Sequence, residues 1–168
     1  MESISIQRWT RNGLLSGVSN PFQSEIRLIL DAELRARIER MTQLFLQAQE
    51  DFQRLRLPWK RGVFLYGPSG CGKSALSRGL AQNLGWSHRS VAAHQVLDCA
   101  MFEQALSDCT RSRPAVVVLE DIDELLKRIE PYAFFTTLDF WMNQGEGIFW
   151  VATTRHPEDT PKTQLVRP

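Results

Sequence analysis

The stretch GPSGCGKS, Gly67-Pro68-Ser69-Gly70-Cys71-Gly72-Lys73-Ser74, matches the spacing G-x-x-x-x-G-K-[ST] in full. Its glycines let backbone N–H groups curl inward around a polyanion, and a helix starting after the loop adds its positive dipole end. Lys73 can then neutralise the β- and γ-phosphate oxygens of a nucleotide, while the Ser74 hydroxyl can ligate Mg²⁺. Cys71 stands at a free position of the loop, where it reads as a small filler, although a thiol at a helix N-terminus can have a lowered pKa. A second candidate group is VVVLEDID, in which Glu120, Asp121 and Asp123 directly follow four apolar residues. Hydrolysis of a bound nucleotide needs an acid at a strand end to hold Mg²⁺ and another to polarise the attacking water. Asp121 or Asp123 can also cap the next helix. Because a complete phosphate loop precedes them, the catalytic assignment is preferred.

These groups meet only if strands and helices deliver them to one edge of a sheet. GVFLY reads as a short buried strand before the loop, and KSALSRGLAQNLG as a helix ending at Gly85. WSHRSVA reads as a second strand, followed by a helix from about Met101 to Thr110 and the apolar strand AVVVL. A helix from roughly Tyr132 to Asn143 leads to a fourth strand, GIFWVATT, whose aromatic and β-branched residues outweigh any helical pattern. Strands alternating with helices imply an α/β fold with a parallel sheet covered on both faces. Upstream, Leu34, Ile38, Met41, Phe45, Ala48, Phe52 and Leu55 recur at spacings of three and four, which predicts a long amphipathic helix over residues 23–57 that Pro58 stops. Its polar face, with RARIER and QEDFQR, reads as solvated. Residues 1–22 mix Ser, Asn, Gly and Arg without periodicity and read as a leader or a docking arm, both left open. The expected organisation is therefore leader or arm, helix, and a core over 58–168.

With 168 residues and 43% hydrophobic content, the chain suits one domain with a genuine core. Its net charge of +1, from 20 basic and 19 acidic residues, offers no electrostatic footprint for nucleic acid or an anionic membrane. The three cysteines form no C-x-x-C pair, which argues against a disulfide framework or structural zinc and fits a reducing, intracellular and cytoplasmic setting. The N-terminus lacks a signal-peptide pattern, and the apolar runs are far shorter than the roughly 20 residues of a transmembrane helix.

LPWKRGVFLYGPSGCGKS, VVVLEDID, Leu138-Asp139, WVATTRHPED and QLVRP together resemble, in order, the core of an AAA-type ATPase over residues 55–168. Within that family the chain looks most similar to the branch of the mitochondrial Rieske-protein translocase, whose second motif also reads Glu-Asp. The resemblance implies a three-layer P-loop NTPase fold, ATP and Mg²⁺ as ligands, a Mg²⁺-associated acid at Glu120 and a water-polarising acid at Asp121. Where the family usually has Asn after the fourth strand, this chain has Arg155, a longer, permanently charged donor that either contacts the γ-phosphate or points to solvent. Arg167 matches the arginine-finger position, which in the family reaches across a subunit interface; the alternative for it is a frayed terminal charge. Homo- or hetero-oligomers follow from the same resemblance. In the family the pattern continues with Gly-Arg, a fifth strand and a helical lid. The core is accordingly expected to be incomplete, with residues 63–66 on an open sheet edge. SVAAHQVLDCAMFEQAL carries no aromatic-Gly pore loop, and Phe102 is expected in the core.

The function this implies is Mg-dependent ATP hydrolysis that drives remodelling or assembly of an unidentified protein substrate. The alternative is a nucleotide-dependent binding or regulatory module with little hydrolysis. A small-molecule kinase also suits GPSGCGKS, but no Arg-rich acceptor site lies between the motifs. A transporter cassette would need Leu-Ser-Gly-Gly-Gln, which is missing.

Overall fold

A computed structural model of the chain describes residues 5–16, 30–111, 113–144 and 146–157. Two strands open it, β1 (Ile6–Thr10) and β2 (Gly13–Ser16), followed by helices α1 (Ala32–Gln47) and α2 (Gln49–Arg54). The core continues with β3 (Lys60–Tyr66), α3 (Lys73–Leu84), β4 (Ser87–Ala92), α4 (Cys99–Thr110), β5 (Ala115–Glu120), α5 (Ile122–Leu126), α6 (Pro131–Asn143) and β6 (Ile148–Thr154). Among the described residues the strands form one sheet in the order β2-β1-β4-β5-β6-β3. Only the β1–β2 hairpin is antiparallel; β4, β5, β6 and β3 pair in parallel, as does β1 with β4.

The central strand β5 reads AVVVLE with five buried residues in succession, as a strand covered on both faces must. Its side chains alternate between two cores. Ala115, Val117 and Leu119 join Phe102 and Leu106 of α4, Ile122 and Leu125 of α5, and Phe134 and Leu138 of α6. Val116 and Val118 face the opposite way, onto Phe45 of α1 and Leu80, Ala81 and Leu84 of α3. The result is the expected three-layer α/β architecture. Phe102 is fully buried and stacks on Phe134 with ring centroids 4.9 Å apart, in agreement with its core assignment. Helix starts follow local chemistry: the Asp98 carboxylate accepts from Met101 N at 2.8 Å, and Glu130 accepts from Ala133 N at 2.8 Å ahead of Pro131.

Two upstream segments differ from the sequence expectation. The predicted helix over 23–57 is divided: its described part starts at Asp31, whose side chain caps Glu33 N, breaks at Ala48 and ends at Arg54. Arg56 then adopts a left-handed φ of 54°, which turns the chain before Pro58 is reached. The packed face is also narrower than the periodicity suggests, since Phe45 is buried while Leu34 and Leu55 are exposed. The second difference lies in residues 6–16. Where a leader or docking arm was expected, the chain makes a hairpin that extends the sheet beyond β4. Trp9 drives it inward: the ring is buried and its Nε1 donates to Asp108 Oδ2 at 3.0 Å. Asn12-Gly13, with Gly13 at φ 102°, is the turn signal that marks this hairpin in the sequence.

Candidate active site

The phosphate loop connects β3 to α3, with Gly67 N donating to Thr154 O at the end of β6 over 3.3 Å. Gly67, Gly70 and Gly72 have φ of 144°, 81° and 92°, a run that residues with a Cβ adopt only under strain. A Cβ on Gly67 would also come within 3.1 Å of Cys71 Sγ, a tight contact with an exposed side chain, so the backbone angle is the main demand for glycine there. Beside Gly70 and Gly72 the space is open. The Lys73 ammonium folds back over the loop, donating to Gly67 O at 2.7 Å and Pro68 O at 2.9 Å. It thus sits on backbone carbonyls that a phosphate oxygen would outmatch as a partner. One turn into α3, the Ser74 carbonyl accepts from Ser77 Oγ at 3.0 Å and from Arg78 Nε at 3.2 Å.

The acids stand opposite. Glu120 closes β5, and its Oε2 lies 4.0 Å from the Arg8 guanidinium on β1. Asp121 follows in a left-handed conformation, φ 54° and ψ 59°, which costs a non-glycine residue about 1 to 3 kcal/mol. Thr153 secures this bend by accepting from Asp121 N at 3.1 Å. Asp123 is buried and accepts from Thr154 Oγ1 at 2.8 Å, so its role here is to tie α5 to β6.

Arg155 does not simply point to solvent. Its guanidinium lies fork-on-fork against the Asp121 carboxylate, Nε to Oδ1 at 3.2 Å and the terminal nitrogen to Oδ2 at 2.9 Å. A full negative charge within reach at the same sheet edge is a better partner than water. Those hydrogen bonds, and the Asp121 charge behind them, hold the Arg155 pKa above its ordinary value.

A cleft of about 390 Å³ joins the two halves. Of the residues singled out from the sequence, Ser69, Gly70, Gly72, Lys73 and Ser74 line it from the loop, and Glu120, Asp121 and Arg155 from the strand ends. Gly67, Pro68 and Cys71 shape the loop without lining the cleft, and Arg167 lies outside the described residues. Sequence reasoning missed Arg78 and Thr153, which also line it, and Arg8. Thr153 was within reach, because strand alternation after Val151 points it to the acid side; Arg8 was not, because nothing local marks its hairpin as part of the sheet.

The donor set fits a magnesium nucleotide. An open loop of left-handed glycines, a helix N-terminus, Lys73, and a hydroxyl and a carboxylate from Ser74 and Glu120 share one cleft.

Residues 63–167 match the family model described as ATPase family associated with various cellular activities (AAA). The chain belongs to the AAA ATPase family, and that membership supports ATP binding. It is 31% identical over 99 residues to the ATPase family gene 2 protein of Saccharomyces cerevisiae, a match covering 55% of this chain and 13% of that protein. It is 26% identical over 149 residues to AAA-ATPase At5g17730 of Arabidopsis thaliana, covering 78% of this chain and 31% of the relative. AAA-ATPase At3g28520 of the same plant is 31% identical over 130 residues, or 77% of this chain and 26% of the relative. The chain thus spans less than a third of the length of these relatives. Among the described residues no helix is long and apolar enough to cross a membrane.

Proposed function

We propose that this chain binds ATP with Mg²⁺ and hydrolyses it, as the motor core of an assembly that remodels or assembles a protein substrate. The observation that carries this is the single cleft into which Lys73, Ser74, Glu120 and Asp121 all open. In it Lys73, now on the Gly67 and Pro68 carbonyls, would neutralise β- and γ-phosphate oxygens, and Ser74 and Glu120 would hold the metal. Bound Mg²⁺ supplies neutralisation of the charge that develops on the phosphates. Asp121 orients a water and draws its proton toward the carboxylate. Arg167, placed by the resemblance at a subunit interface, would complete a neighbouring copy's site, an effect worth about 10³ to 10⁵ in rate in phosphoryl-transfer systems. The Glu120-Asp121 order supports the branch of the Rieske-protein translocase within the family, and three unpaired cysteines support a reducing cytoplasmic setting.

A second function, a nucleotide-dependent binding module with little turnover, is favoured by one specific contact. Both Asp121 oxygens are already engaged by Arg155.

ATP turnover in Mg²⁺ across a protein concentration series separates the two. For an assembling ATPase, turnover per chain rises with concentration and drops by about 10² or more in Asp121→Asn, the scale of a lost general base. Lys73→Ala abolishes nucleotide binding in both cases. A wild-type chain that binds ATP yet turns it over no faster than Asp121→Asn identifies the binding module.

A further inference from the structure

We propose that the turn between α2 and β3 is a docking surface for an anionic phospholipid headgroup layer, with Arg56 and Arg61 on the phosphates and Leu55 and Leu57 inserted between them. The inference goes beyond the nucleotide function and does not rest on it. Its first support is the way α2 ends. Phe52 O accepts from Leu57 N at 2.9 Å and Gln53 O accepts from Arg56 N at 3.1 Å, the pair of bonds with which a helix end folds back on itself. At such an end the left-handed residue is usually glycine, and the apolar residue after it packs back onto the helix. Here Arg56 takes the left-handed position, at φ 54°, and Leu57 stays 50% exposed. Leu55, before it, is 62% exposed. Residues Gln53 to Leu57 are exposed in unbroken succession, so the turn stands out from the body of the protein.

Charge is the second support. The net charge of +1 conceals an uneven distribution, since no Asp or Glu occurs between Asp51 and Asp98 while Arg54, Arg56, Lys60 and Arg61 fall close together. Asp51 is taken by Arg54 at 2.8 Å, and the partly buried Lys60 ammonium donates to Asn143 Oδ1. Arg56 and Arg61 are exposed and take part in none of the ion pairs among the described residues. Guanidinium groups on long apolar stems can reach lipid phosphates while neighbouring leucines enter the acyl boundary. An acidic protein would need a rigid recess shaped for two protruding leucines, whereas a fluid headgroup layer deforms around them. The seven residues of β3 separate this turn from the phosphate loop, a span of about 20 Å at roughly 3.3 Å per residue. Docking therefore leaves the nucleotide cleft at the far end of the strand open to solvent.

The test is co-sedimentation of the full 168-residue chain with vesicles of mixed phosphatidylserine and phosphatidylcholine, and with vesicles of phosphatidylcholine alone. The wild-type chain is expected to bind the mixed vesicles about tenfold or more tightly than the neutral ones, and to leave them as salt rises. Arg56→Gly should weaken that binding about fivefold, the share of one basic residue near an anionic surface. Its thermal unfolding midpoint should not fall, because glycine suits the left-handed backbone, so the loss cannot come from misfolding. Leu55→Ser combined with Leu57→Ser should weaken binding about tenfold or more. Arg11→Gln removes an equal charge from the exposed turn of the N-terminal hairpin, at the opposite edge of the sheet, and should change binding less than about twofold. Equal binding to both kinds of vesicle, or to neither, overturns the proposal. So does a loss in Arg11→Gln as large as that in Arg56→Gly, which would reduce the effect to overall charge. Retention on immobilised polyglutamate without vesicle binding would assign the turn to an acidic protein and overturn the lipid surface.

Discussion

Asp121 shows how much of the site depends on a single backbone angle. With φ at 54°, the chain turns sharply between β5 and α5, and the carboxylate is aimed at Arg155 rather than along the strand. His88 is a second residue whose surroundings decide its behaviour. It is buried on β4, its Nε2 lies 3.2 Å from Ser77 Oγ on α3, and its Nδ1 has no hydrogen-bond partner among the described residues. Burial first, and then the nearby charge of Arg78, push its pKa down to about 4 from 6.5, with a smaller push from Arg8. The unfolded chain therefore binds the proton more readily than the folded one between those values. Stability from this residue is complete above pH 6.5 and is lost as pH falls toward 4, by on the order of 3 kcal/mol. Urea midpoints at several pH values should fall across that window in the wild type and much less in His88→Leu.

Helix α1 is anchored by an aromatic contact group around Phe45, with Ile38 and Met41 packed partly buried against the same core. Phe45 stacks on Trp59 at 4.9 Å and meets Trp86 and Phe149 edge-on at 5.7 and 5.4 Å. Trp59 in turn donates from Nε1 to Phe45 O at 2.9 Å, so the group is bonded as well as packed. Because these rings cap the face of β5 and β6 that carries α3, loosening them reaches the base of the phosphate loop. Phe45→Ala should cost about 3 to 5 kcal/mol in denaturant unfolding. Leu34→Ala, on an exposed part of the same helix, should change stability by no more than about 0.5 kcal/mol.

The N-terminal hairpin is integral to the molecule. Besides burying Trp9, it supplies the Gln7 side-chain oxygen Oε1 that accepts from Arg89 Nε at 3.2 Å, while the same guanidinium donates to Cys109 O at 2.7 Å. Burial pushes the Cys109 thiol up to about 12, which leaves it inert. The hairpin thus joins β4 and α4 and brings Arg8 to Glu120, although it lies outside the span matched by the family model. Trp9→Ala should lower stability by about 3 to 5 kcal/mol, with Trp9→Phe losing only the roughly 1 kcal/mol of its hydrogen bond to Asp108. If both variants unfold like wild type, the hairpin is an appendage after all.

The strand-loop-helix unit around Lys73, the acids after AVVVL and the apolar runs of the sheet were legible in the chain, because glycine spacing, strand-end carboxylates and β-branched runs are local patterns with local causes. The family resemblance, rather than any local pattern, led to the expectation that β3 borders the sheet, and among the described residues it does. What stayed hidden were pairings between groups far apart in sequence. Arg155 on Asp121, Arg8 on Glu120 and Trp9 on Asp108 leave no periodic trace. Each of those partners is chosen by where two strands or helices end in space, and a charge or a ring finds its counterpart only after the sheet has brought those ends together.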